Sequence, residues 1–221
     1  MTNFQVGDKK LVITNELVKE KVQQNIAVYD KSGDQHYDIA SAFIKSIRGS
    51  DPNAAVYYLA RMIEGGEDIK FIARRIMISA SEDIGLANPN ALLMATTAFQ
   101  AATAVGLPEA RIILSQAAIY LAASPKSNAS YMAINRAQKL VKETGSLSIP
   151  LEIRNAPTKL MKSLNYGKGY KYAHDAPDNF ANMEFMPKEI IGTKLFEPGN
   201  SPNEEKTRLH LRTLWKKKYG Y

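Results

Sequence analysis

Residues 84–125 read IGLANPNALLMATTAFQAATAVGLPEARIILSQAAIYLAASP, and Glu109 and Arg111 are the only charges in the stretch. Local punctuation divides it into two helices. Asn88-Pro89 opens one that ends at Gly106, and Leu107-Pro108-Glu109 opens a second that ends near Ser124-Pro125. A helix without charge on any side has to be hidden. The pair is therefore either the centre of a helical bundle or a subunit interface. Its small residues let backbones approach closely, and Ala95, Ala98, Ala102, Ala117, Ala118 and Ala122 are the candidate interface positions. Thr96, Thr97, Gln100 and Thr103 add uncharged polar groups around the first helix.

More helices flank the pair. Ser50-Asp51-Pro52 supplies a cap and a first-turn proline, the apolar positions Ala55, Val56, Leu59, Met62 and Ile63 follow, and Gly65-Gly66 closes the element. Glu67-Asp68 opens the next, with Phe71, Ile72, Ile76 and Ile78 on a buried face, running to about Asp83. Ser127 or Asn128 begins another that finishes before Gly145, and residues 14–24 and 37–48 also read as helices. No β-branched alternation demands a sheet, so the fold class is all-α.

After Pro150 the character changes to an irregular arm with prolines at 177, 187, 198 and 202. One short helix is expected over residues 157–164 and a terminal one over 203–218, carrying Lys206, Arg208, Arg212 and the run Lys216, Lys217, Lys218. Nine of the 19 aromatic residues fall between Tyr166 and Tyr221, which suits a segment that packs across the helices better than a solvated tail.

The chain has 221 residues, enough for one large or two small domains, with an ordinary 45% hydrophobic content. It has no cysteine, which excludes thiol catalysis, disulfides and thiolate metal sites. The first residues lack the apolar core of a secretory signal, no segment has the length and apolarity of a membrane span, and a cytosolic setting fits. The net charge of +7 is uneven. Residues 1–150 hold 16 Lys and Arg against 14 Asp and Glu, whereas residues 151–221 hold 13 against 8. A basic C-terminal third is compatible with an acidic polymer as partner and equally with a plain soluble surface.

Residues 165–177, NYGKGYKYAHDAP, gather glycine, lysine, tyrosine and histidine. A phosphate loop needs G-x-x-x-x-G-K-[ST]. Here the upstream glycine is missing and Gly169 stands where the hydroxyl belongs. Lys168 and Lys171 suit phosphate contact with Tyr166, Tyr170 or Tyr172 as stacking partners; alternatively the glycines make a turn and the tyrosines anchor the arm. Sequence adjacency does not make His174-Asp175 a catalytic pair, and His36 and His210 make no metal-ligand spacing with it. Glu82-Asp83, beside Arg74 and Arg75, reads as a structural ion pair or a partner contact. No catalytic, cofactor or metal residue is assigned.

Four blocks carry a resemblance: HYDIASAFIKSIRGSDPNAAVYYLARMIEGGED, FIARRIMISASEDIGLANPNAL, GLPEARIILSQAAIYLAASPKSNASY and RNAPTKLMKSLNYGKGYKYAHD. They are similar, in order and over about residues 5–200, to the C-terminal part of the replication-associated recombination protein A family. These are bacterial AAA+ ATPases similar to the eukaryotic Werner-helicase-interacting protein and related to clamp-loader subunits. The ATPase module of that family, with its Walker, sensor and arginine-finger residues, has no counterpart here, so the chain resembles an excised fragment. The resemblance implies a lid remnant over residues 1–35, a clamp-loader-like helical collar that makes a homotetramer over 36–150, and a C-terminal extension over 151–221. It further implies a fragment that hydrolyses nothing, a parent that uses ATP and magnesium on DNA at stalled forks, and a nucleoid-associated cytoplasmic setting. DNA, single-stranded DNA-binding protein and replisome components are the implied partners. The other reading is a DNA-binding module contacting single-stranded or forked DNA through Lys168, Tyr170, Lys171, Tyr172, Lys216, Lys217 and Lys218. No role is assigned to the SEDIG or NYGKGYKYAHD motifs.

Overall fold

The structure, a computed structural model, describes residue 15 and residues 34–221. The helix expected over residues 14–24 falls outside the described residues, Asn15 aside. Among the described residues eight α-helices follow one another: α1 (Asp34–Arg48), α2 (Pro52–Glu64), α3 (Ile69–Ser79), α4 (Asn90–Val105), α5 (Ala110–Ala123), α6 (Ala129–Thr144), α7 (Lys159–Ser163) and α8 (Pro202–Trp215). Among the described residues there is no strand, and no helix is long and apolar enough to cross a membrane.

Local chemistry sets the helix starts. The Asp51 carboxylate accepts the Ala54 N–H at 3.0 Å with Pro52 in the first turn, and Asp68 accepts the Lys70 N–H at 2.9 Å. Thr158 and Ser201 cap α7 and α8 in the same way.

Helices α1 to α5 form one body, and α5 touches each of the other four. Phe43, Ile47, Leu59, Met62, Ile72, Ile76, Leu114 and Leu121 fill the space between them and are almost wholly covered. Burying each such side chain contributes about 1.5–3 kcal/mol, before the entropy of ordering it is subtracted. The alanines of α4 and α5 lie in that core. Ala95, Ala98, Ala102, Ala117, Ala118 and Ala122 are none of them more than 5% exposed, so the chain's own helices cover them. They act by letting α4 and α5 approach closely, and they present no surface to a second copy.

Two local expectations fail for reasons that lie far away in sequence. The helix expected to run to about Asp83 changes at Ala80 into a π turn, Ala80–Ile84, and the chain then reverses at Gly85, whose φ is +48°. A Cβ on Gly85 would stand 2.9 Å from the Ser127 carbonyl oxygen, so only glycine passes there without displacing backbone. Asn88 does not cap α4. Its amide donates instead to the Tyr120 hydroxyl at 2.9 Å and the Ser124 hydroxyl at 3.1 Å, tying the start of α4 to the end of α5.

Helix α6 buries only Ala129, and the arm lies beside it. Within the arm, Trp215 at the end of α8 meets Phe180, Phe185 and Tyr219 edge-on at 5.1, 6.2 and 5.3 Å between ring centres. These rings hold parts of the arm to one another, and the tyrosines of the glycine loop are not among them. It joins the helical body where Asn203 donates to the Ala87 carbonyl at 2.9 Å and Arg136 to the Leu195 carbonyl at 3.2 Å.

Candidate interaction surfaces

The uncharged helix pair has two faces with different fates. With its alanines turned inward, α4 presents Leu92, Leu93 and Val105 to solvent, α5 presents Ile112 and Ile119, and Leu107 lies between the helices. Leu93 is 66% exposed and Ile112 59%. Arg111 is the only charged side chain on either helix. A single exposed leucine is ordinary, but outward apolar side chains on two successive helices with only Glu109 and Arg111 as charges among them resemble the centre of a protein interface. The alanines offered from sequence as interface positions are core, and the exposed apolar side chains lie elsewhere on the same two helices. The available signal was the helical period, which sets Leu93, Ile112 and Ile119 opposite the alanine stripes of their helices.

The glycine loop is built from beneath. Gly167 donates its N–H to the Leu151 carbonyl at 2.8 Å, and a Cβ there would approach the Arg154 carbonyl to 3.2 Å, at a φ of +71°. Arg154 donates to the Ile149 carbonyl at 2.7 Å and to the Tyr166 hydroxyl at 3.2 Å, and its guanidinium lies over the Tyr166 ring. So Tyr166 is fastened, while Lys168, Tyr170, Lys171 and Tyr172 stand out from the loop. Tyr170 and Tyr172 are each just over half exposed, at 51% and 55%. The side chains of Lys168 and Lys171 have no ionic partner among the described residues. His174 rests against the Tyr172 ring and shares a 3.2 Å contact with the Asn179 side chain, with no nucleophile beside it.

The lysine run at the C-terminus divides. Lys216 and Lys217 are exposed. Lys218 is committed inside the arm, 3.0 Å from Glu184 and over the faces of Trp215 and Tyr219, so it has little left to offer a ligand. The Lys171 N–H points at the Met183 sulfur, next to Glu184, which sets the loop beside the segment that holds Lys218.

The SEDIG carboxylates form a joint. Asp83, almost fully buried, accepts the Ser79 hydroxyl at 2.6 Å and Arg48 Nε at 2.5 Å, and Glu82 takes Arg48 Nη2 at 3.1 Å. The Asp83 hydrogen bond raises the Arg48 pKa; burial opposes it, and the charges of Asp83 and Glu82 add smaller upward contributions. Arg74 and Arg75, the partners expected from sequence, take no part. Nearby, burial pushes the Lys126 ammonium below its ordinary pKa, with Asp83 acting in the opposite sense. That ammonium donates to the carbonyls of Leu121, Ala122 and Ser124 and so closes the end of α5. A second buried carboxylate, Glu204, accepts from the Ser127 and Ser201 hydroxyls at 2.6 and 2.8 Å and from the Gly199 N–H at 3.0 Å. Among the described residues no cluster of His, Asp or Glu converges as metal ligands.

These surfaces sit on a chain with clear relatives. The family described as MgsA AAA+ ATPase C terminal matches residues 49–215, and the AAA C-terminal domain matches residues 1–48. Replication-associated recombination protein A of Coxiella burnetii is 44% identical over 203 residues, which cover 91% of this chain and 46% of that protein. The protein of the same name from Escherichia coli K12 is 43% identical over 198 residues, covering 89% and 44%. ATPase WRNIP1 of Dictyostelium discoideum is 38% identical over 190 residues, covering 86% and 22%. The chain thus spans less than half the length of these relatives.

Proposed function

The chain belongs to the family of MgsA AAA+ ATPase C-terminal regions, and from that premise we propose that it is the collar through which such an ATPase assembles with copies of itself, as a homotetramer. The observation that carries this reading is the outward face of α4 and α5, with its exposed leucines and isoleucines and only Glu109 and Arg111 as charges among them. A face that is apolar and almost uncharged suits a second copy of itself, because no charge has to be matched.

On this reading the collar hydrolyses nothing. ATP and magnesium are used by an ATPase module of the kind named in the relatives, and the assembly works on DNA during replication-associated recombination. Single-stranded DNA-binding protein and replisome components are the partners that follow. Light scattering during gel filtration, over a concentration series, tests the collar directly. The expected mass is four times that of the chain, falling to one with Leu93→Glu combined with Ile112→Glu. A monomer at every concentration, or ATP hydrolysis by the chain alone, rejects it.

The arm supports a second role, contact with single-stranded or forked DNA. Its support is the pair Tyr170 and Tyr172, exposed beside Lys168 and Lys171, which have no ionic partner, with Lys216 and Lys217 on the same arm. Exposed rings stack on bases and free lysines meet phosphates. Binding measured by fluorescence anisotropy should weaken with rising salt and with Lys168→Glu and Lys171→Glu. No binding at low salt rejects it.

A further inference from the structure

A small cavity of about 210 Å³ opens between α1 and α3, on the side of the Arg48–Glu82 joint. Lys45, Arg48 and Arg75 line it, together with the hydroxyl residues Ser41 and Ser79 and the carboxylate of Glu82. Three cations face one anion there. We propose that this cavity is a binding site for a phosphate-class oxyanion.

The cations differ in how far they are already engaged. Arg48 holds Asp83 and Glu82 through Nε and Nη2, which leaves Nη1 free. Lys45 and Arg75 have no hydrogen bond or ion pair through their side chains among the described residues. Lys45 lies in the last turn of α1, where a cation also offsets the negative end of the helix dipole. That account does not extend to Arg75, which precedes the last turn of α3 and is half-buried. A half-buried guanidinium carries five donors and no acceptor, so partial burial without an anion leaves it poorly satisfied.

Size and charge select the ligand. At roughly 30 Å³ per water the cavity has room for a tetrahedral oxyanion and several waters. With Glu82 and Asp83 both held by Arg48, Lys45 and Arg75 are the cations left to meet an oxyanion, and the group as a whole keeps a net positive charge. The guanidinium fork of Arg75 suits two oxygens of one phosphate, with Lys45 as a point charge and the Ser41 hydroxyl as a further donor. The phosphate can be a free ion or a group on a nucleic-acid backbone, and the recognising chemistry is the same.

Inorganic phosphate is the probe. Added at constant ionic strength against chloride, it should raise the unfolding temperature of the chain and broaden its own phosphorus NMR line. Arg75→Gln should weaken the binding about tenfold, the loss typical of a charged hydrogen bond, and adding Lys45→Gln should abolish it. Lys139→Gln, on the exposed side of α6, should leave it unchanged. A dithymidine phosphodiester that matches inorganic phosphate identifies a backbone as the source; one without effect identifies the free dianion. The proposal is overturned if phosphate has no effect, if Arg75→Gln binds like the parent chain, or if succinate stabilises and phosphate does not.

Discussion

Arg48, the last residue of α1, reaches Asp83 in the π turn after α3 at 2.5 Å, although 35 positions separate them. Asp83 is almost fully buried and Arg48 is about half exposed. Arg48→Ala leaves a buried carboxylate with only the Ser79 hydroxyl, and solvent at the exposed guanidinium moderates the loss to about 1–2 kcal/mol. Urea unfolding should show the shift in midpoint. Adding Asp83→Ala should cost less than the two single losses summed, because the two residues act together.

Gly85→Ala should destabilise more than its one added carbon suggests. The new Cβ would lie 2.9 Å from the Ser127 carbonyl oxygen at a backbone φ of +48°. Strain of this kind costs on the order of 1–3 kcal/mol, and thermal unfolding should reveal it. Gly145→Ala, also at positive φ but with nothing within 4 Å, should cost less.

Glu204→Ala strips three donors of their common acceptor: the Ser127 and Ser201 hydroxyls and the Gly199 N–H. In a fully buried position the loss should be about 3 kcal/mol. Hydrogen exchange should rise on both sides of the contact, in α8 and at the start of α6.

Acid should loosen the arm. Burial alone raises the Glu184 pKa, yet hydrogen bonds from the Met186 N–H and from Lys218, with the Lys218 charge, outweigh it and hold the carboxyl below its usual range. Glu197 is held low foremost by its hydrogen bond from Lys194, then by Arg208, against some effect of burial. Both carboxyls are more acidic folded than unfolded, so the unfolded chain binds more protons and stability falls as the pH drops. The contribution is complete above the ordinary glutamate pKa of about 4.3 and is lost below it. The unfolding temperature should therefore fall from about pH 5 downward, and less steeply in Glu184→Gln.

The sequence foretold the helices well because their signals are local. Asp51-Pro52, Asp68, Gly65-Gly66 and Gly106 act within a turn of where they stand, and α2 through α5 begin and end within a few residues of those marks. It was poor where a distant residue decides. The π turn depends on Ser127, the Asn88 side chain on Tyr120 and Ser124, and the fate of Lys218 on Glu184. The alanine stripe was visible, but alanine fits a tight core and a tight interface equally well. Only the packing of α5 against four neighbours shows which of these it fills.

The boundary between the two matched families falls after residue 48, directly beside the arginine that the π turn grips. Two stretches that comparison separates are thus mechanically a single inheritance. A chimaera taking residues 1–48 from one relative and the remainder from another would keep this joint only where an arginine at its seam met carboxylates at the positions of Glu82 and Asp83.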